Sequence, residues 1–182
     1  MKNLFLILIF LTFSINSSLS DTKVVNALKD GGKLVFIRHA FAPGGGDPKN
    51  FILNNCSTQR NLDLSGISQA KKIGIFFKEN NIKIEQVFSS EWCRTQDTAK
   101  NAFEDYKTFN ALNSFFSSKF ANNKDKQMKE LKSFIKKWNS KENIVFITHY
   151  VVILEVLNTP VSSGEIIVAD KNYKVIGTLE IN

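Results

Sequence analysis

Leu34-Val35-Phe36-Ile37-Arg38-His39 and Ile144-Val145-Phe146-Ile147-Thr148-His149 repeat one pattern: four apolar residues, one polar residue, then a histidine. Unbroken apolar runs of this length, without alternation, read as strands buried on both faces, the kind found in parallel sheets covered by helices. The chain holds only two histidines, and each stands where such a strand ends. In open α/β sheets the ligand crevice lies beyond the carboxyl ends of the strands. If these two strands are neighbours, both imidazoles project into the same crevice.

Outward from these runs, five segments rich in β-branched and aromatic residues read as strands: Lys33 to Arg38, Gln86 to Ser89, Asn143 to Thr148, Glu165 to Ala169 and Tyr173 to Glu180. Between the first three lie helical patterns. One runs from Ser65, as N-cap, through Lys78, another from Cys93 through Phe103. A third is amphipathic, with Met128, Leu131, Ile135 and Trp138 at helical spacing and Phe134 beside them. A further helix begins at His149. The fold expected is α/β, a mostly parallel open sheet with helices on both faces, the last two strands forming an antiparallel hairpin at the edge.

The second strand segment in this scheme ends in Ser89-Ser90 and leads to Arg94 near a helix start. Arg38, Arg94, His39 and His149 would then converge on one small volume. Each alone has a bland reading, a hydrogen-bonded strand-end imidazole or a guanidinium paired with a carboxylate. Jointly they do not, because burying four potential cations together is costly without an anion to compensate them. Phosphate is the economical choice, since the planar guanidinium donates two parallel hydrogen bonds to phosphoryl oxygens.

Composition bounds the setting. Lys2, the apolar stretch from Leu4 to Phe13 and the Ser18-Leu19-Ser20 end read as a secretory signal peptide over residues 1–20, so a periplasmic or secreted location is expected. Its apolar run is about half of the roughly 20 residues a spanning helix needs, so no stable membrane span is expected after its removal. The remaining residues 21–182 suit a single catalytic domain. Loss of Lys2 takes the formal charge from +7 to +6. Lys126, Lys129, Lys132, Lys136 and Lys137 fall on the solvent side of the amphipathic helix, so this basic cluster is read as a solvated face, not a nucleic-acid surface.

Cys56 and Cys93 in an exported chain either pair or remain free thiols. A bridge closing a loop of about 38 residues would contribute roughly 4 kcal/mol by loop entropy. Neither serves as a phosphatase nucleophile of the cysteine type, which needs an Arg six positions on; those positions hold Leu62 and Ala99. The segment from Phe41 to Asn61 is the one long loop, with Pro43, Gly44, Gly45, Gly46 and Pro48, and loops of this length in compact domains tend to be functional.

Arg38-His39-Ala40 after a hydrophobic strand, Leu64-Ser65-Gly66 followed by Gln69-Ala70, Ser89-Ser90 with Arg94-Thr95 and Thr98-Ala99, and Thr148-His149 resemble the histidine phosphatase superfamily, also called phosphoglycerate-mutase-like. The resemblance covers nearly the whole chain after residue 20, in the same order. The loop through Asp47-Pro48 and Cys56-Ser57-Thr58-Gln59-Arg60-Asn61-Leu62 is similar to that of exported bacterial members. The resemblance implies a phosphoglycerate-mutase-like fold and a phosphatase working through a phosphohistidine on His39, with Arg38, Arg94 and His149 binding the phosphoryl oxygens. It implies no cofactor. Two histidines, no HExxH and no carboxylate cluster at ligand spacing give the sequence no metal site either. The expected substrate is a small phosphorylated compound or an envelope sugar phosphate.

One departure stands out. Members that cleave alkyl phosphates carry an acid after the second Arg helix, where this chain reads Ala111-Leu112-Asn113-Ser114-Phe115-Phe116. Candidates at looser positions are Asp47, Glu91, and Glu104 or Asp105, while Glu165 reads as a cap before its strand. Phe115 and Phe116 are either an apolar lip or core. Besides a monoesterase, two readings stay open: a phosphohistidine or anhydride phosphatase needing no general acid, and a non-catalytic phosphate-binding module.

Overall fold

The computed structural model describes residues 21–181; the signal peptide expected over residues 1–20 lies outside them. Helical residues 21–30 (α1) precede β1 (Leu34–Arg38). Then come α2 (Leu64–Glu79), β2 (Ile84–Ser89), α3 (Cys93–Phe103), β3 (Lys107–Thr108) and α4 (Lys124–Lys137). The chain ends with β4 (Asn143–Thr148), α5 (Tyr150–Leu157), β5 (Ile166–Ala169) and β6 (Val175–Leu179).

The six strands form one sheet in the order β3-β2-β4-β1-β5-β6. β3, β2, β4 and β1 run parallel, β5 is antiparallel to β1, and β6 returns antiparallel to β5. This is the expected α/β class with its edge hairpin. Alternation along each strand divides the core in two. Phe36, Ile144 and Phe146 pack with Met128, Leu131, Ile135, Val152 and Ile153 of α4 and α5. Val35, Ile37, Val145 and Ile147 pack with Val24, Leu28, Ile73 and Phe77 of α1 and α2 on the other face. All five lysines named on α4 are exposed.

Several boundaries differ from the sequence reading, each for a local reason. α2 begins at Leu64, capped by Asp63 instead of Ser65: the Asp63 carboxylate accepts from Gly66 N at 2.8 Å and from Ser65 Oγ at 2.5 Å. β2 starts two residues early, across an irregularity between Ile84 and Gln86. β6 begins only at Val175, because Asp170 to Lys174 form a tight turn with Tyr173 at φ 65°. α1 and the two-residue β3 have no counterpart in the sequence reading; β3 exists only through its pairing with Phe88 and Ser89. Among the described residues, no helix is long and apolar enough to cross a membrane.

Candidate active site

β1 and β4 are neighbours in parallel register, Arg38 opposite Thr148. His39 N donates to Thr148 O at 2.9 Å, one step beyond the paired residues, so the histidine after each strand enters the same crevice. The two imidazoles sit edge to face with ring centroids 5.5 Å apart, and both are buried. The turn after His39 is pinned from two helices. Ala40 N donates to Thr98 Oγ1 on α3, and Gln69 on α2 accepts from Phe41 N while donating to Ser163 O. α2 can approach this closely because position 66 is glycine; a Cβ there would lie 2.0 Å from Phe41 O.

His39 Nδ1 lies 2.8 Å from Ala40 O. A carbonyl only accepts, so Nδ1 carries the proton in the neutral ring and Nε2 keeps its lone pair. Burial, then the charge of Arg94, with smaller contributions from Arg38 and Arg60, push the His39 pKa down to about 3, against the opposing hydrogen bond to Ala40. His149 is held well below the ordinary imidazole value by burial and then by Arg94. Its Nε2 is 2.9 Å from Ser90 Oγ, and its Nδ1 is 3.5 Å from Arg94 Nη2.

Three guanidiniums surround the imidazoles. Arg38 donates to Val161 O at 3.0 Å and lies over the Tyr150 ring. Arg94, at the start of α3, is buried. Arg60 comes from the long loop and donates to Ala42 O. The Nε of each of the three is buried with no protein partner. Burial lowers the pKa of Arg38, Arg60 and Arg94, and the charge of neighbouring arginines adds to this at Arg38 and Arg94, though each stays charged at neutral pH. An anion would relieve both the unpaired donors and the repulsion.

Of the candidate acids, only Asp47 reaches this cavity. Its carboxylate accepts from Arg94 Nη1 at 2.7 Å and Nη2 at 3.2 Å, from Trp92 Nε1 at 3.0 Å and from Arg60 N at 3.1 Å. Burial pushes its pKa up, but the hydrogen bonds and charge of Arg94, with those from Trp92 and Arg60, outweigh it and hold the carboxyl below its ordinary range. Glu91 is outside the cavity lining; it accepts from Asn113 Nδ2 at 2.6 Å, and Asn113 also bonds Glu91 N and Ser90 Oγ. Glu104 and Asp105, exposed at the end of α3, do not line it either, and Glu165 caps the turn before β5 by accepting from Ser162 N.

Cys56 and Cys93 are joined by a disulfide with Cα atoms 5.7 Å apart. Gln59 reinforces it, accepting from Cys93 N and donating to Ile52 O and Leu53 O. The long loop thus stands as a wall beside Arg94, over a floor made of the strand ends. Sequence reasoning assigns Arg60 no role; the signal was present in Gln59-Arg60-Asn61, four residues after a cysteine whose partner precedes Arg94. The lip and core readings of the Phe pair divide: Phe115 packs on the core, Phe116 is exposed at the cavity. Among the described residues no three His, Cys, Asp or Glu side chains cluster as a metal site.

No family model and no curated protein sequence matches the chain. Among solved structures it is similar to the protein histidine phosphatase SixA complexed with tungstate, at TM-score 0.56 and 13% identity over 81% of this chain and 96% of that one. It is also similar to a phosphoglycerate mutase from Thermus thermophilus, at TM-score 0.56 and 14% identity over 82% and 99%. The product of the open reading frame Rv3214 from Mycobacterium tuberculosis gives 0.55 and 15% over 75% and 89%. The chain has the phosphoglycerate-mutase-like fold of the histidine phosphatases.

Proposed function

We propose that the protein is an exported phosphatase that hydrolyses phosphate monoesters through a phosphohistidine on His39, without a metal. The observation that carries this reading is the single free lone pair on His39 Nε2, in a neutral ring, on a cavity floor shared with His149, Arg38 and Arg94. The fold shared with SixA and phosphoglycerate mutase supports it.

His39 Nε2 attacks phosphorus in line, and the ester P–O bond breaks as the P–N bond forms. Arg38, Arg60, Arg94 and His149 hold the three equatorial oxygens, so catalysis is positioning and electrostatic stabilisation. Asp47 protonates the leaving alkoxide. In the free protein that carboxyl is ionised against Arg94. A phosphate dianion takes over the Arg94 fork and adds negative charge beside Asp47, and both effects raise the carboxyl's pKa so that a proton enters with the substrate. Water then attacks the phosphohistidine, giving its proton to Asp47 and releasing inorganic phosphate.

The test is turnover of para-nitrophenyl phosphate by the protein lacking residues 1–20, across pH 4 to 8 with chelator present, beside His39→Ala. Activity that survives the chelator and disappears in the variant, with an acid-labile phosphoryl group trapped on His39, supports the reading. Absence of turnover on this ester, whose leaving group needs little protonation, turns the site into a phosphate-binding module. Asp47→Asn then separates acid-dependent from acid-independent chemistry: ethyl phosphate turnover should fall about 10²- to 10⁴-fold more than that of para-nitrophenyl phosphate. An unchanged ratio would instead favour an anhydride or phosphohistidine substrate. Cell fractionation with N-terminal sequencing tests export: a chain starting near residue 21 in the periplasm or medium supports it, and a chain with Met1 intact confined to the cytoplasm would refute it.

A further inference from the structure

The cavity is far larger than a phosphoryl group, about 680 Å³, in the range of sites that enclose a whole small molecule. Above the cationic floor its walls are aromatic. Phe51 stacks on Trp92 with centroids 5.2 Å apart, and Phe120 meets both edge-on at 5.8 and 5.4 Å. At the mouth Phe116 is 75% exposed and Phe41 45% exposed. Large apolar side chains left open around a built pocket mark where a ligand covers them.

The polar inventory of the lining is equally telling. Among the described residues its one carboxylate, Asp47, is bonded in the free protein to Arg94, Trp92 and Arg60, and no Asn, Gln, Glu or Thr lines the cavity. Beyond the arginines, the histidines and the Trp92 indole bonded to Asp47, the polar side chains among the described lining residues are Ser114, Ser117, Ser163, Tyr150 and two exposed lysines. A polyol such as a sugar presents several hydroxyls, each needing a partner when taken from water. The rings of Phe51, Trp92, Phe116 and Phe120 accept no such bonds and match an apolar or flat group instead.

Resting on the phosphatase reading for the phosphate end, we propose that the site takes phosphomonoesters whose alcohol half is apolar or aromatic, not sugar phosphates, with Phe116 among the residues that set this preference. Non-hydrolysable phosphonates test it apart from turnover: 2-phenylethylphosphonate, ethylphosphonate and the 6-phosphonate isostere of glucose, titrated by calorimetry against the protein lacking residues 1–20.

The phenyl compound should bind about thirtyfold more tightly than the ethyl one, from burial of the ring, and more tightly than the sugar compound. Phe116→Ala, an exposed position that leaves the core intact, should shrink the phenyl-to-ethyl ratio several-fold. Equal affinities for phenyl and ethyl, or a preference for the sugar phosphonate, overturns the proposal. Phosphonate preference without turnover of any ester removes the phosphatase reading while supporting the pocket assignment; turnover with flat phosphonate affinities does the reverse.

Discussion

The floor and the wall of the cavity are built by different means. Arg38 ends, and His39 and His149 follow, strands held on both sides by main-chain ladders, with fully buried Phe36 and Phe146 beneath them. The wall, residues 41–61, contains no strand and only a 3-10 turn at Cys56–Thr58. It is fastened by the disulfide, by Gln59, and by the four hydrogen bonds that converge on Asp47. A continuous ladder comes apart only with the sheet, whereas a segment held by a few side-chain contacts opens locally. The proposed nucleophile therefore stands on the sheet, and the proposed proton donor on the part that can adjust to substrate.

The sharpest way to break this contrast is His39→Ala, which removes the proposed nucleophile and leaves the wall untouched. Turnover of para-nitrophenyl phosphate should fall at least about 10⁴-fold; a loss below tenfold would mean the chemistry is not on the floor. Arg94→Lys comes next, because Arg94 joins floor to wall through its fork on Asp47. A lysine cannot reproduce two parallel donors, and kcat/KM should fall about 10²- to 10³-fold.

Cleaving the disulfide in Cys56→Ser/Cys93→Ser should cost about 2–4 kcal/mol in denaturant unfolding. Hydrogen exchange sharpens the same experiment: amides of residues 41–61 should lose protection while those of β1 and β4 keep theirs. Equal loss in β1 would erase the distinction between floor and wall.

The smallest expected effect is the pH dependence of stability, which separates the two regions by window. His39 has a folded pKa of about 3 against an ordinary 6.5, so between those values the unfolded chain binds a proton that the folded chain does not. Stability from this group is complete above pH 6.5 and is lost as pH falls toward about 3; His149 acts in the same direction. From pH 6.5 to 5 the loss from His39 is at most about 2 kcal/mol. Asp47, held below its ordinary 3.8, contributes stability present above that value and lost beneath it. Denaturant midpoints measured against pH should fall less steeply between pH 6.5 and about 3 in His39→Gln, with a slope remaining from His149, whereas in Asp47→Asn the change should be confined to pH below about 4.

Much of the floor was legible in the residues alone. Two four-residue apolar runs, each closed by one of the sequence's only histidines, carry their own meaning, because the period of a buried strand and the position of its end are local properties. Arg94 was legible through its place at the start of a helix after a strand. The exposed side of α4 was legible too, because the spacing of its lysines against Met128, Leu131 and Ile135 is itself the amphipathic pattern.

The wall was not legible in the same way. Asp47 and Arg94 are far apart in sequence, and nothing local marks Asp47 as the acid that reaches Arg94 while Glu91, only three residues from it, turns to Asn113. Arg60 enters the site because the disulfide and Gln59 bring its loop to α3. Phe115 and Phe116 are chemically identical neighbours, and only the direction of the backbone sends one to the core and the other to the cavity. The sequence by itself determined the α/β class, the strand ends and the cationic floor, since these follow from periodicity and short-range order. Tertiary structure alone decided which carboxylate, which third arginine and which aromatic rings complete the cavity, because those depend on contacts across the fold that no local pattern encodes.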